Sequence, residues 1–84
     1  MKKFTAAIDV MPLKEILDPQ GKAVTGSMKN LDLSEITNIR IGRHITLEVT
    51  AENKEKATEK VETACKKLLA NVIMESFHFE INEL

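Results

Sequence analysis

The chain has little with which to carry out chemistry or to hold a polyanion. Lys and Arg total 12 against 13 Asp and Glu in 84 residues, a formal net charge of −1. That balance, with no basic block, leaves no electrostatic footprint for nucleic acid. A single cysteine, Cys65, excludes an internal disulfide and fits a reducing compartment. No stretch approaches the roughly 20 apolar residues that a bilayer-spanning helix needs. Asp9 interrupts the N-terminal apolar run too early for a signal peptide. A soluble, cytoplasmic chain without membrane contact is expected. Gly21, Gly26 and Gly42 match neither a dinucleotide-binding nor a P-loop pattern. His44 and His78 stand in separate segments, with no Cys/His or HExxH spacing around them. No metal site, bound cofactor or catalytic residue is therefore expected in this chain.

What is present reads as one small α+β domain spanning residues 1–84, without repeats, linkers or low-complexity stretches. A domain of this size is near the lower end of what one core stabilises without disulfides or metal. Burial shared with a second copy or a partner would relieve that limit.

Phe4, Ala6, Ile8 and Val10 alternate with Thr5, Ala7 and Asp9, the period-two pattern of a half-buried strand. Pro19 suits the first position of a helix, and Asp18 before it suits the N-cap. That helix is expected to run to about residue 30, with Val24, Met28 and Leu31 at helical spacing. Gly21, Gly26, Thr25 and Ser27 weaken it, so tertiary contacts must hold it. Gly21 costs roughly 1 kcal/mol relative to Ala in a helix, and close approach of another backbone is the usual reason for such a residue.

Ile39 and Ile41, then Ile45, Leu47 and Val49, alternate on either side of Gly42-Arg43 and read as a β-hairpin. Over about 54–70 the period changes to that of a helix. Ala57, Val61, Ala64, Cys65, Leu68 and Leu69 form its apolar stripe, and Lys and Glu fill the other faces. Asn53 is the expected N-cap and Asn71 the expected left-handed C-terminal residue. Phe77, Phe79 and Ile81 form a last strand. The order βαββαβ favours a ferredoxin-like two-layer arrangement: a four-stranded antiparallel sheet with two helices on one face. The other face would carry Thr5, Ala7, Asp9, Arg40, Thr46, Glu48, His78 and Glu80, and is a candidate interface.

Chemistry-bearing residues each have a plain structural role. Cys65 lies on the apolar stripe and is expected to behave as a small core hydrophobe. His44 and His78 are expected to face solvent. The helix start at 22–27 could hold an anion only in the way that any helix N-terminus could. Arg40 and Arg43 flank the Ile41-Gly42 turn. They suit bidentate contact with a partner's carboxylate, or equally a charged hairpin that resists edge pairing.

The strings LKEILDPQGKAV (13–24), NIRIGRH (38–44) and CKKLLAN (65–71) together resemble the PurS family, the small non-catalytic subunit of phosphoribosylformylglycinamidine synthase. The resemblance spans essentially the whole chain. Val72 stands where the family often has Pro, and Asn30-Leu31-Asp32-Leu33 where it often has a Gly. What the resemblance implies is an assembly subunit for de novo purine synthesis, joining a large ATP-dependent synthetase subunit to a glutaminase subunit. ATP with Mg would belong to the large subunit. The chain itself would be a homodimer, or a tetramer of dimers, and would help to enclose an ammonia path. The same resemblance favours a partner-facing role for Asp18, Pro19, Gln20, Gly21, Arg40, Gly42 and Arg43. The rival reading is a small-metabolite-binding regulatory domain, which rests on fold analogy alone.

Overall fold

The alternating apolar sets assemble into a three-stranded antiparallel sheet of order β2-β1-β3, formed by β1 (Lys2–Pro12), β2 (Arg43–Ala51) and β3 (Glu75–Glu83). The computed structural model describes residues 1–13 and 19–84. Register follows from the side-chain pattern: Ile8 stands between Ile45 and Phe79, and Ala6 between Leu47 and Ile81. Ala6 and Ile8 thus each meet an apolar neighbour on both sides, while Phe4 stands between Val49 and Glu83 and Val10 between Arg43 and Phe77. A slip of one residue would turn the apolar set to solvent.

Helix α2 (Lys54–Ala64) covers this face. Ala57, Val61 and Cys65, spaced four apart, are buried with Phe4, Ala6, Ile8, Val10, Ala51, Ala70 and Ile81. Asn53 caps the helix as expected, its Oδ1 accepting from the Lys56 N–H at 2.9 Å. Lys60 Nζ reaches back to the Thr50 carbonyl at 2.9 Å, fastening helix to strand. Solvent-exposed pairs Lys56–Glu59 and Glu62–Lys66 line the outer surface, where such pairs add little.

The α+β, ferredoxin-like two-layer arrangement is as expected, with four local differences. The first is the hairpin: residues 38–42 form no strand, and the second sheet strand begins at Arg43. The period-two signal of Ile39 and Ile41 instead marks a connection whose two isoleucines are half-buried. The second is the first helix. Regular α1 (Pro19–Ser27) tightens into a 3-10 turn over Met28–Leu31, which ends at Asp32 with φ 60°. Asp tolerates this left-handed conformation, and so does the work of a glycine in the connection. Val24 and Leu31 are exposed and Gly21 is the only buried residue of α1, so the sheet's apolar face rests on α2.

The third difference is at the end of the second helix, which passes into a π-turn over Cys65–Leu69. A wider turn rotates the following residues relative to the α period. Leu68, expected on the buried stripe, is therefore 83% exposed, whereas Cys65 stays fully buried. The fourth is Asn71, which is not left-handed; Ala70 ends the helix in an extended conformation. Asn71 binds the turn that follows instead, its Oδ1 accepting from Ile73 N and its carbonyl from Met74 N and Glu75 N.

Candidate functional site

Two of the segments singled out in the sequence, 19–21 and 39–43, come together at one end of the sheet. Gly42 lies so close to β1 that a Cβ there would run into the Val10 carbonyl oxygen and Met11 Sδ. Only a residue without a side chain lets the connection enter β2 at this point. Thr25 of α1 joins the two segments: its hydroxyl donates to the Gly21 carbonyl at 2.8 Å and accepts from Ile39 N at 3.1 Å. Pro19 and Gln20 are exposed beside buried Gly21. Asp18 lies outside the described residues.

Both arginines bind their own chain. Arg40 Nη2 donates to the Pro12 carbonyl. Arg43, opposite Val10 in the register, meets Glu75 through Nη1–Oε2 at 2.5 Å and Nη2–Oε1 at 2.9 Å. Its Nη2 also donates to the Leu69 carbonyl at 2.7 Å. Asn71 N adds a further bond to Glu75 Oε1 at 2.8 Å. The Arg43 hydrogen bond, then that from Asn71 N, hold the Glu75 carboxyl down at about 2. The Arg43 guanidinium is raised by the same hydrogen bond. One ion pair thus closes three elements on each other: the start of β2, the start of β3 and the end of the second helix. Glu75 was not singled out from the sequence. Its only sequence signal is position, a lone carboxylate just before the last alternating run.

The sheet face away from α2 is open and polar. His44 Nδ1 lies 2.6 Å from Asp9 Oδ1, both side chains more than half exposed. His78 stands opposite Asp9 on the other neighbouring strand. Lys3 and Glu48 pair across the same face at 3.4 Å. Among the described residues no group of three His, Cys, Asp or Glu side chains is placed to hold a metal ion. Among them, too, no helix is long and apolar enough to cross a membrane. Cys65 is fully buried, and burial, followed by the nearby Glu62 charge, pushes its thiol up. This environment disfavours the thiolate that nucleophilic chemistry requires.

Residues 5–83 match the family described as PurS, phosphoribosylformylglycinamidine (FGAM) synthase. The chain is similar to the synthase subunit PurS of Thermotoga maritima, with 39% identity over the full length of both chains. Similarity to the subunit PurS of Bacillus subtilis is 36% over 74 residues, covering 86% of each chain. Among solved structures, a crystal form of Bacillus subtilis PurS superposes with TM-score 0.83 at 29% identity, covering 95% of this chain and 99% of that one. A chain in the structure of PurLQS from Thermotoga maritima superposes with TM-score 0.82 at 39% identity, covering 100% of both.

Proposed function

This chain belongs to the PurS family of phosphoribosylformylglycinamidine synthase, and from that membership we propose that it is the structural subunit that assembles the complex in de novo purine biosynthesis. The observation that carries the reading is similarity along the whole chain to a member of a PurLQS structure. In this reading a large subunit binds ATP with Mg and performs the synthetase step. A glutaminase subunit releases ammonia, and this chain fixes the geometry between them and helps to enclose the ammonia path. Every relative described above is a synthase subunit, so the metabolite-binding alternative is not favoured.

A homodimer, or a tetramer of dimers, is part of the proposal. Its support is the incompletely covered sheet and an elongated shape of 53 × 26 × 14 Å, with a radius of gyration of 16.6 Å. A compact chain of this length would have a radius of about 12 Å. The proposed partner-facing segments are those of Asp18, Pro19, Gln20 and Gly21 and of Arg40, Gly42 and Arg43, with Asp18 outside the described residues and Gly21 buried beneath its exposed neighbours. Support comes from the contacts that draw 19–21 and 39–43 together. Arg43 is 47% exposed despite its ion pair, leaving part of its guanidinium for a second carboxylate. A cytoplasmic location is proposed from the single unpaired cysteine.

The test is reconstitution from three purified subunits, each omitted in turn. Without this chain, glutamine-dependent synthesis should disappear, while high ammonium restores part of it. Undiminished glutamine-dependent synthesis in its absence would refute the proposal.

A further inference from the structure

The turn after the second helix joins a hydrogen-bonded backbone to an apolar exterior. Leu68 and Ile73 are 83% and 81% exposed, and Val72 and Met74 are 52% and 45% exposed. These four fall within a segment whose backbone is tied at nearly every step. Ala70 N bonds to the Cys65 carbonyl, Met74 N to the Asn71 carbonyl, and Leu13 N to the Met74 carbonyl. Asn71 Oδ1 accepts from Ile73 N. The Glu75 carboxylate accepts from Asn71 N, and Arg43 donates to both Glu75 and the Leu69 carbonyl.

A mobile loop would have to be ordered on binding, which costs conformational entropy. Here the backbone is already ordered. The π-turn that carries Leu68 outward belongs to the same framework, and irregular turns of this kind are frequent at functional sites. Exposed apolar side chains gathered within one short segment and bordered by polar groups mark a site of interaction.

Charge decides what covers it. Among the described residues, Arg43 reaches the Leu69 carbonyl and Glu75, and Lys66 and Lys67 directly precede Leu68 in the chain. Glu75 is engaged by Arg43, and Glu62 lies 3.6 Å from Lys66. Lys67 makes no ion pair with any described residue. An isologous contact between two copies would bring the uncompensated Lys67 of each copy to the same interface with no carboxylate to meet it, and like charges set against each other are costly there.

We propose that Leu68, Val72, Ile73 and Met74 form a preformed anchor for a different protein chain, one that offers an apolar recess with an acidic rim. The inference rests on the assembly role proposed above and assigns it a surface separate from Pro19–Gly21. It is tested with the whole chain and the purified large and glutaminase subunits, measuring binding by calorimetry, self-association by sedimentation and folding by circular dichroism. Wild type should bind one of the two subunits, more weakly as salt rises. Ile73→Asp and Leu68→Ser should stay folded and keep the wild-type oligomeric state while losing affinity by ~10-fold or more. Lys67→Glu should weaken binding in the same direction. Affinity unchanged in Ile73→Asp and Leu68→Ser would overturn the anchor. Loss of self-association would instead assign the patch to a second copy and overturn it as well. An unchanged Lys67→Glu would remove the acidic rim, and with it the choice of occupant. Failure of wild type to bind either subunit would refute the assembly role itself, an outcome distinct from all of these.

Discussion

Arg43 and Glu75 meet side by side, two nitrogens on two oxygens at 2.5 and 2.9 Å, although 32 positions separate them in the chain. The pair is not an isolated surface contact. Glu75 is 19% exposed at its side chain, and its carboxylate also accepts from Asn71 N. The same guanidinium reaches the Leu69 carbonyl. The contact therefore ties the end of the second helix to the start of β3.

A pH dependence follows from it. The Glu75 carboxyl lies at about 2 in the folded chain against an ordinary 4.5. A carboxyl held lower in the folded state contributes stability in full above its unfolded value and loses it as pH falls through the folded one. The contribution is thus complete near pH 7 and disappears between about pH 4.5 and pH 2. Because Arg43 is half exposed, solvent reduces it to about 1 kcal/mol. Glu75→Gln should lose about that much at pH 7 and show a flatter stability curve in acid, as read by urea unfolding at several pH values. A wild-type curve that stays level from pH 5 to pH 2.5 would contradict this.

Gly42 and Gly26 should respond to a methyl group in opposite directions. At Gly42 a methyl group would meet the Val10 carbonyl and Met11 Sδ, so Gly42→Ala should cost about 1–3 kcal/mol, as overpacking does. Gly26, in α1, has nothing within 4 Å of its added Cβ. Gly26→Ala should stabilise the chain by about 0.5–1 kcal/mol. Thermal unfolding of the two variants checks the signs directly.

Cys65 should be inert. In the folded chain a thiol reagent should leave it unmodified, and denaturant should expose it to full reaction. Cys65→Ala should lower stability by about 1–2 kcal/mol through lost packing. Glutamine-dependent turnover of the reconstituted complex should remain near wild type; a large loss with the fold intact would assign the thiol a role beyond packing.

Removing the cap of α2 should cost more than removing any of its surface ion pairs. Asn53→Ala leaves the Lys56 N–H without its side-chain acceptor and should cost about 1 kcal/mol. Lys56→Ala should move the denaturant midpoint far less, since exposed pairs of this kind contribute only a few tenths of a kcal/mol. Equal shifts in the two variants would show that the cap is not formed in solution.

The features that depend on local periodicity are legible before any fold is known. Strand β1, the core set of Phe4, Ala6, Ile8 and Val10, the Asn53 cap and the burial of Cys65 all follow from side chains repeating at two or at three to four residues. Family membership was legible for a related reason, since three short strings in fixed order carry it. Periodicity could not tell a strand from an extended connection at Ile39 and Ile41, because both alternate and only hydrogen-bond partners distinguish them. Nor could it place Leu68. The stripe assumed 3.6 residues per turn throughout, and one wider turn carries that leucine out to solvent. The arginines show the same limit. Spacing put Arg40 and Arg43 beside a glycine, but the Pro12 carbonyl and Glu75 come from distant parts of the chain. Only the packed sheet brings those acceptors within reach, and their contacts depend on the register of three strands at once.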